Sequence, residues 1–475
     1  MKGLVTVIIF LLSRIVLQAQ DKWDLKECVD YALANNISVK QADLQTRFSS
    51  LDLYLDKLSR WPTSNFQASS GYSFGLSENP TTGTLETRNF FNTQFGLSAS
   101  ANLFNWFSKK FLIQSSELDL KADEAQVKKV QDDIALNVAV GYLQALLAKQ
   151  QVNIAALQVE QTMLQLDITR KRVKAGVLPE LNASQLEAQL AADSSLLISA
   201  EGSVQQFLLQ LKALLNLDAG VPFDIETPPV ELIPVESLAE LQPESVYNLA
   251  VVNLPQQRVN DLRVQAAEKL VSAAKASMYP TISMFGGLNS RFVNIESPQQ
   301  TVFIPQRSTG AFVNVNGTPY EVLAPGFDVI RTGITPFFNQ LRNNFGQNIG
   351  IALTVPIFNG GSLRGNWQRS KLLVQQAQLQ QQSASLTLKQ DIYRAYTDAT
   401  IALQKFNASR KAVEAAEKAY SFAQKRYEVN LLPTFELINN NNFLLRARQD
   451  MISAQFDYVF KMKLLEFYKG QGLKL

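Results

Sequence analysis

No histidine occurs among the 475 residues, and the single cysteine is Cys28. Imidazole acid–base catalysis, Ser-His and Cys-His nucleophile pairs and imidazole-ligated metals are therefore closed to this chain. One thiol makes no intrachain disulfide and no thiolate cluster for zinc or iron–sulfur. Carboxylate or lysine chemistry remains formally open, but the 42 Asp and Glu residues offer no compact pair of the kind a hydrolase uses. Glu180, Glu187 and Glu436 stand out only by following turn sequences. They read as solvated acids near helix starts, with a role in lining a lumen as the alternative. No catalytic, cofactor-binding or metal-ligating residue is assigned. The formal net charge of +3 gives no clustered basic footprint for nucleic acid, and 46% apolar against 18% charged residues describes a folded chain.

The elements that would position any functional surface begin after an export signal. Lys2 and the apolar run Leu4 to Leu12 precede Leu17-Gln18-Ala19, which places a signal peptide over 1–19 with cleavage near Ala19. Lipid attachment at Cys28 is disfavoured, because Leu25-Lys26-Glu27 is charged where a lipoprotein signal is small and apolar. Cys28 instead suits the buried face of a short helix. No later stretch of about 18 apolar residues would make a transmembrane helix, which leaves a soluble exported protein or a β-barrel protein.

The chain is written twice. Ala32-Leu33-Ala34-Asn35 aligns with Ala250-Val251-Val252-Asn253 at an offset of 218, and Trp61-Pro62-Thr63 meets Tyr279-Pro280-Thr281 at the same offset. From Leu103-Phe104-Asn105 and Ile357-Phe358-Asn359 onward the offset is 254, bringing Arg172 to Arg426 and Leu178-Pro179 to Leu432-Pro433. The two offsets differ by 36 residues, an insertion in the second copy over about 293–344, read as an enlarged loop between strands. A linker with Pro222, Pro228, Pro229 and Pro234 joins a first repeat, 20–235, to a second, 236–475.

Each copy reads as helix, strand, loop, strand, long helix, turn, helix. Phe66, Ala68, Tyr72, Phe74 and Leu76 alternate with small polar residues, as do Phe91, Thr93, Phe95 and Leu97. Phe66, Tyr72, Phe74, Phe95 and Leu97 are the candidates for a lipid-facing surface; an ordinary antiparallel sheet on a core is the alternative. Ser108 to Lys174 holds no proline and would make a helix about 100 Å long. Its copy runs from about Leu363 to Val429. Both carry apolar seams stepping by four and three, one through Gly141, Ala145, Ala148, Val152 and Ala155, the other through Ala395, Ala399, Ala402, Phe406 and Val413. That is the 3.5-residue period of coiled coils. The shorter helices before the strands and after the turn, laid end to end, nearly match the long one. Gly176-Val177-Leu178-Pro179 and Asn430-Leu431-Leu432-Pro433 then form the tips of two helical hairpins, Gly and Asn being suited to left-handed helix ends. Val177 and Leu431 are expected to face outward, with Leu178 and Leu432 stapling their own hairpins.

These residues in this order resemble the TolC family of outer membrane efflux and secretion channels. The marks are Trp23-Asp24-Leu25-Lys26-Glu27-Cys28 leading into Ala32-Leu33-Ala34-Asn35-Asn36, Trp61-Pro62 and Tyr279-Pro280 before strands, Leu353 to Gly361, and Arg426-Tyr427 before the second tip. The resemblance implies an α+β membrane protein, a homotrimer whose subunits each give four strands to a twelve-stranded transmembrane barrel, and a periplasmic tunnel of long antiparallel coiled-coil helices. It implies docking to a periplasmic adaptor and an inner-membrane pump, an outer membrane location in a Gram-negative bacterium, and a passive exit duct for efflux. The outer membrane part of a type I protein secretion system, and an exported coiled-coil scaffold that enters no membrane, are the other readings. Asn430 in place of a second tip Gly, with Asn182 and Glu436 where many members carry Asp, puts a tip-aspartate role in doubt. The run Asn439-Asn440-Asn441-Asn442 is odd inside a helix and could line water. The cargo is not written in the sequence.

Overall fold

The computed structural model describes residues 22–470 except 79–82, 84, 88, 230–232, 234, 297 and 332. The signal peptide expected over 1–19, and Pro234 of the linker, lie outside the described residues. The fold is α+β. In chain order the elements are α1 (Leu25–Asn35), α2 (Ile37–Leu58), β1 (Thr63–Ser73), β2 (Leu76–Glu78), β3 (Leu85–Thr87), β4 (Phe90–Phe104), α3 (Ser108–Lys174) and α4 (Glu180–Leu215). After a short 3-10 turn, Leu238–Glu240, come α5 (Pro243–Asn253), α6 (Pro255–Ala276), β5 (Thr281–Val293), β6 (Pro298–Val315), β7 (Thr318–Arg331), α7 (Phe337–Asn343), β8 (Gly346–Thr354), α8 (Ser362–Glu428) and α9 (Thr434–Tyr468). The long helix α3 begins and ends where its proline-free, seam-bearing sequence does.

Two compact units share these elements. The helical unit comprises the described residues of Met1–Leu53, Gln114–Glu268 and Lys371–Leu475. Its α1 starts on a capping box: the Asp24 carboxylate accepts from the Glu27 amide at 2.6 Å and Glu27 accepts from the Asp24 amide at 3.0 Å, satisfying two end donors reciprocally. The face so fixed buries Cys28, Val29 and Ala32 among Val138, Tyr142, Leu211 and Leu215. The extended residues on either side are strapped together. Trp23 and Asp224–Glu226 exchange backbone bonds, and Tyr142 Oη lies 2.9 Å from the Glu226 carbonyl.

The two short helices do share one long one. Ser49 of α2 donates to Asp123 of α3, whereas α4 returns along the later part of α3. There Leu214 approaches to 3.3 Å from where a Cβ on Gly141 would stand, so glycine permits the close crossing. Further along, Arg170 pairs with Glu187 at 2.6 Å. In the second half Ser385 of α8 meets Gln257 of α6, and α9 returns along α8 through Tyr458 stacked on Phe406 and Arg448 paired with Glu417. The seam residues Ala395, Ala399, Ala402, Val413, Ala416 and Ala423 are buried, as are Ala145, Ala148, Ala155, Leu166 and Thr169. Leu157, Leu164 and Ile168 of α3 are exposed.

The sheet unit comprises Tyr54–Ile113 and Lys269–Ser370. Its four-stranded antiparallel sheet has the order β1-β4-β5-β8, so strands from the two halves meet at β4 and β5 and both outer edges are unpaired. The described residues of about 293–344, expected as an enlarged loop between strands, connect β5 to β8 and carry structure of their own. They fold into the β6–β7 hairpin and the helix α7. Asn316 and Gly317, at φ 53° and 82°, make the left-handed two-residue turn that matches strand twist. Prolines are tolerated because both strands of an isolated hairpin are edges.

Candidate functional site

Register decides which side chains share a face of the sheet. Phe66 stands opposite Leu97, Ala68 opposite Phe95 and Tyr72 opposite Phe91. Leu97 in turn faces Leu288, and Met284 faces Ile351. Phe66, Tyr72, Phe95 and Leu97 therefore lie on one face with Leu288, Met284, Ile349, Ile351 and Leu353. Asn65, Gln67, Ser69, Gln94, Gly96, Ser98, Asn289 and Asn348 lie on the other. Phe285 breaks the pattern by standing on the polar face. Its ring lies 2.6 Å from where a Cβ on Gly350 would be, so the bare glycine opposite gives it room.

Two of the expected face residues stand apart from the others. Phe74 is not a strand residue: β1 ends at Ser73, and Gly75 at φ +96° turns the chain, so the alternation read through to Leu76 is interrupted. Phe74 instead stacks on Tyr72 at 6.2 Å. Phe95 is half-buried, because Phe337 of α7 packs edge-on against it at 6.3 Å.

Aromatic rings gather at both ends of the strands. At the loop end Phe74, Tyr72, Phe91, Phe292, Phe337 and Phe338 form a chain with successive centroids 5.0–6.5 Å apart. At the helix end Phe104 meets Trp106 at 5.4 Å and Phe107 at 5.7 Å, and Trp106 meets Tyr279 at 5.1 Å.

The hairpin tips are built alike. Gly176 and Asn430 take left-handed conformations at φ +74° and +60°. The Val177 amide donates to Arg172 O at 3.0 Å and Gly176 to Val173 O at 2.9 Å; the Leu431 amide donates to Arg426 O at 2.8 Å and Asn430 to Tyr427 O at 3.0 Å. This pair of bonds is the Schellman motif, which satisfies the last helical carbonyls. Pro179 and Pro433 then precede α4 and α9, whose first turns carry Glu180 and Glu436 exposed to solvent. Val177 is 54% exposed and Leu431 68% exposed, whereas Leu432 is 8% exposed among Ala423, Tyr427 and Leu437. Leu178 is half-buried.

A buried polar network behind the tips was not foreseen from sequence. Thr169 and Tyr427 hydroxyls lie 3.0 Å apart, and Thr434 donates to Tyr427 Oη at 3.2 Å. Arg172 donates to the Tyr427 and Glu428 carbonyls, so the first hairpin caps the last turn of α8. Deeper, the buried Asp193 carboxylate accepts from Thr162 at 2.6 Å and Gln189 at 2.7 Å. Gln189 exchanges amide bonds with Asn442, so that asparagine pairs α9 with α4. The signal for the network was Arg172 and Tyr427 flanking equivalent turns.

Cys28 is inert by construction. Burial, with Asp24 and Glu27 adding negative charge nearby, pushes its thiol up to about 12, so the reactive thiolate is scarcely populated at neutral pH. Among the described residues no cluster of carboxylates and cysteine could hold a metal ion, and no helix is long and apolar enough to cross a membrane.

The model of the outer membrane efflux protein family matches residues 28–217 and 246–459. The chain belongs to the outer membrane efflux protein family. The pyoverdine export outer membrane protein OpmQ of Pseudomonas aeruginosa is 23% identical over 365 residues, 76% of this chain and 66% of OpmQ. The cation efflux protein CusC of Escherichia coli is 20% identical over 94% of this chain and 86% of CusC. A CusC crystal structure superposes with a TM-score of 0.74 at 17% identity, covering 94% of this chain and 91% of that one. TolC of Escherichia coli is 19% identical over 69% of this chain and 59% of TolC. Membership of this family places the chain in the outer membrane of a Gram-negative bacterium, and its fold is that of the solved outer membrane channels.

Proposed function

We propose that three copies close a twelve-stranded transmembrane barrel and that this homotrimer is the exit duct of a tripartite efflux pump. The observation that carries the reading is the sheet β1-β4-β5-β8, apolar on one face and unpaired at both edges. An open edge is not tolerated in lipid, and four strands are too few to close a barrel, so the β1 edge of one copy must pair with the β8 edge of the next. Antiparallel pairing fits an even count of strands. The 15 residues of β4, at ~3.4 Å each and a tilt of roughly 40°, suffice for a hydrocarbon layer of ~30 Å. In this arrangement Phe66, Tyr72 and Leu97 meet acyl chains, while the Asn, Gln, Ser and Gly face lines water. The exposed stripe Leu157, Leu164 and Ile168 packs on a neighbouring copy in the periplasmic tunnel.

The duct performs no chemistry and conducts passively; energy comes from an inner-membrane pump joined through a periplasmic adaptor. The tips Gly176 to Pro179 and Asn430 to Pro433 are the docking surface, since Val177 and Leu431 are apolar and unburied there. OpmQ and CusC are named for pyoverdine and cation export, chemically unlike cargoes. Cargo choice is accordingly assigned to the pump.

Cysteine pairs scanned along β1 and β8 should crosslink the chain into trimers in the outer membrane fraction, with no pair linking β1 to β8 inside one chain. A chain that stays monomeric through the whole scan at normal expression overturns the barrel. With trimers intact, Val177→Asp combined with Leu431→Asp should abolish export; full export would remove the tips as the docking surface.

A further inference from the structure

The strands of the main sheet are almost without charge. β1, β4, β5 and β8 hold one Asp, Glu, Lys or Arg between them, and it is Arg291. Charge is costly on a face that meets hydrocarbon, so its scarcity there is expected. The polar face bears no such cost, yet Asn, Gln, Ser and Gly dominate it. Register decides which face holds the exception. Leu288 of β5 shares the apolar face with Leu97. Arg291 lies three residues further along the strand and so stands on the opposite face, with Asn289. Across the sheet it is level with Gln94 of β4 and Ser69 of β1. Its side chain is exposed.

The surroundings suit an anion. Arg291 lines a recess of about 550 Å³ together with Gln67, Gln94, Asn289 and Asn344. Among the described residues lining it there is no Asp or Glu. The backbone here is held: the Asn344 side chain donates to the Arg291 carbonyl at 2.8 Å, and the Ser290 hydroxyl donates to the Leu341 carbonyl at 2.7 Å. Carboxamide N–H groups and a guanidinium fork are donors that carboxylate, sulfate and phosphate oxygens accept. A guanidinium also keeps its charge at any working pH. In a threefold barrel the residue recurs at one level, so three guanidinium groups share one water-filled cross-section. A ring of one sign in a passage with low-dielectric walls selects ions by sign.

We propose that Arg291 forms a cationic ring in the barrel lumen that recognises the anionic groups of passing cargo (carboxylate, sulfate or phosphate) and biases the exit toward anions. The inference rests on three copies closing a barrel with the polar face inward. The pump still chooses what enters, and Arg291 adds a preference by sign at the exit. The exposed acids Glu180 and Glu436 at the tips act in the opposite sense at the entrance, so a local readout in the barrel is needed.

Asn289→Cys supplies one, placing a thiol two residues from Arg291 on the same face. Cys28 does not compete, being buried with its thiol pushed up to about 12. The purified protein is treated with anionic sulfonatoethyl or cationic trimethylammonioethyl methanethiosulfonate, with and without Arg291→Gln. The arginine should raise the anionic-to-cationic rate ratio about threefold at 0.1 M salt, and the gain should fade at 1 M, where the screening length is ~3 Å. Arg291→Lys should keep the gain. Benzene-1,3-disulfonate should slow labelling only while the arginine is present. Equal ratios with and without the arginine, both reagents reacting, would mean that its charge is neutralised within the chain and would overturn the ring alone. If Arg291→Gln does not assemble, the salt series on Asn289→Cys by itself decides, and a salt-independent ratio overturns the ring. A thiol that neither reagent reaches, in trimers of normal yield, removes the water-filled lumen and the ring together.

Discussion

The first and second hairpin tips reach one backbone geometry by different side chains, and the difference separates what a tip must be from what it must hold. Both close on the same pair of backbone bonds, from residues 177 and 176 in one and 431 and 430 in the other. The first uses glycine at φ +74° and leaves Leu178 half-buried. The second uses asparagine at φ +60° and buries Leu432 among Tyr427 and Leu437. The arginines differ too. Arg172 reaches the carbonyls of the neighbouring α8, while Arg426 turns to Leu431 of its own tip at 3.4 Å. The first tip gives a hydrogen-bonding arm to the second, and the second supplies the packed core that receives it. Beyond that backbone, both tips keep a following proline, an exposed first-turn glutamate and an exposed apolar residue, Val177 or Leu431, on which the proposed docking rests.

Removing the staple tests this division most severely. Leu432→Ala opens a cavity among Ala423, Tyr427 and Leu437 and should cost about 2–5 kcal/mol. Leu178→Ala removes a side chain already half in water and should cost about 1 kcal/mol. Thermal unfolding of the purified protein in detergent reads both; equal losses would mean that the tips are packed alike. Tyr427→Phe comes next. It leaves the buried hydroxyls of Thr169 and Thr434 without that partner, at about 1–3 kcal/mol. Adding Thr169→Val should recover part of the loss. A Tyr427→Phe protein as stable as wild type would show that the hydroxyl joins nothing of consequence.

The same contrast explains what the sequence could disclose. Both long helices were legible to within a residue, because proline-free seams of 67 residues leave no competing structure. The turn residues were legible because left-handed helix ends select Gly and Asn. The Tyr427 network was not, since it joins residues 258 apart whose meeting depends on how α3 and α8 pack. The β6–β7 hairpin was missed although Asn316-Gly317 announced it, because the prolines that argue against a central strand carry no such weight on an edge. The end of β1 was not legible, because alternation in side-chain type runs through Phe74 to Leu76 while the strand stops at Ser73 and the backbone turns at Gly75.

The smallest effects sharpen the comparison at the left-handed residue itself. Gly176→Ala places a Cβ at φ +74° with nothing near it to clash, so its cost is the local backbone penalty of about 1–2 kcal/mol. Asn430→Gly runs the exchange in the opposite direction. Glycine removes the residual strain at φ +60°, but it also widens the unfolded ensemble by more than asparagine does. The two terms oppose each other, and because asparagine already tolerates this region through its short polar side chain, the net change should lie within about 0.5 kcal/mol. Amide exchange at Leu431 reports it directly, since that amide donates to Arg426 O only while the tip is closed. Unchanged protection in Asn430→Gly, beside clear loss at Val177 in Gly176→Ala, would place the tolerance in the conformation and not in the residue. A strong loss in Asn430→Gly would mean that the asparagine side chain itself holds the second tip, and the two tips would then differ in mechanism as well as in packing.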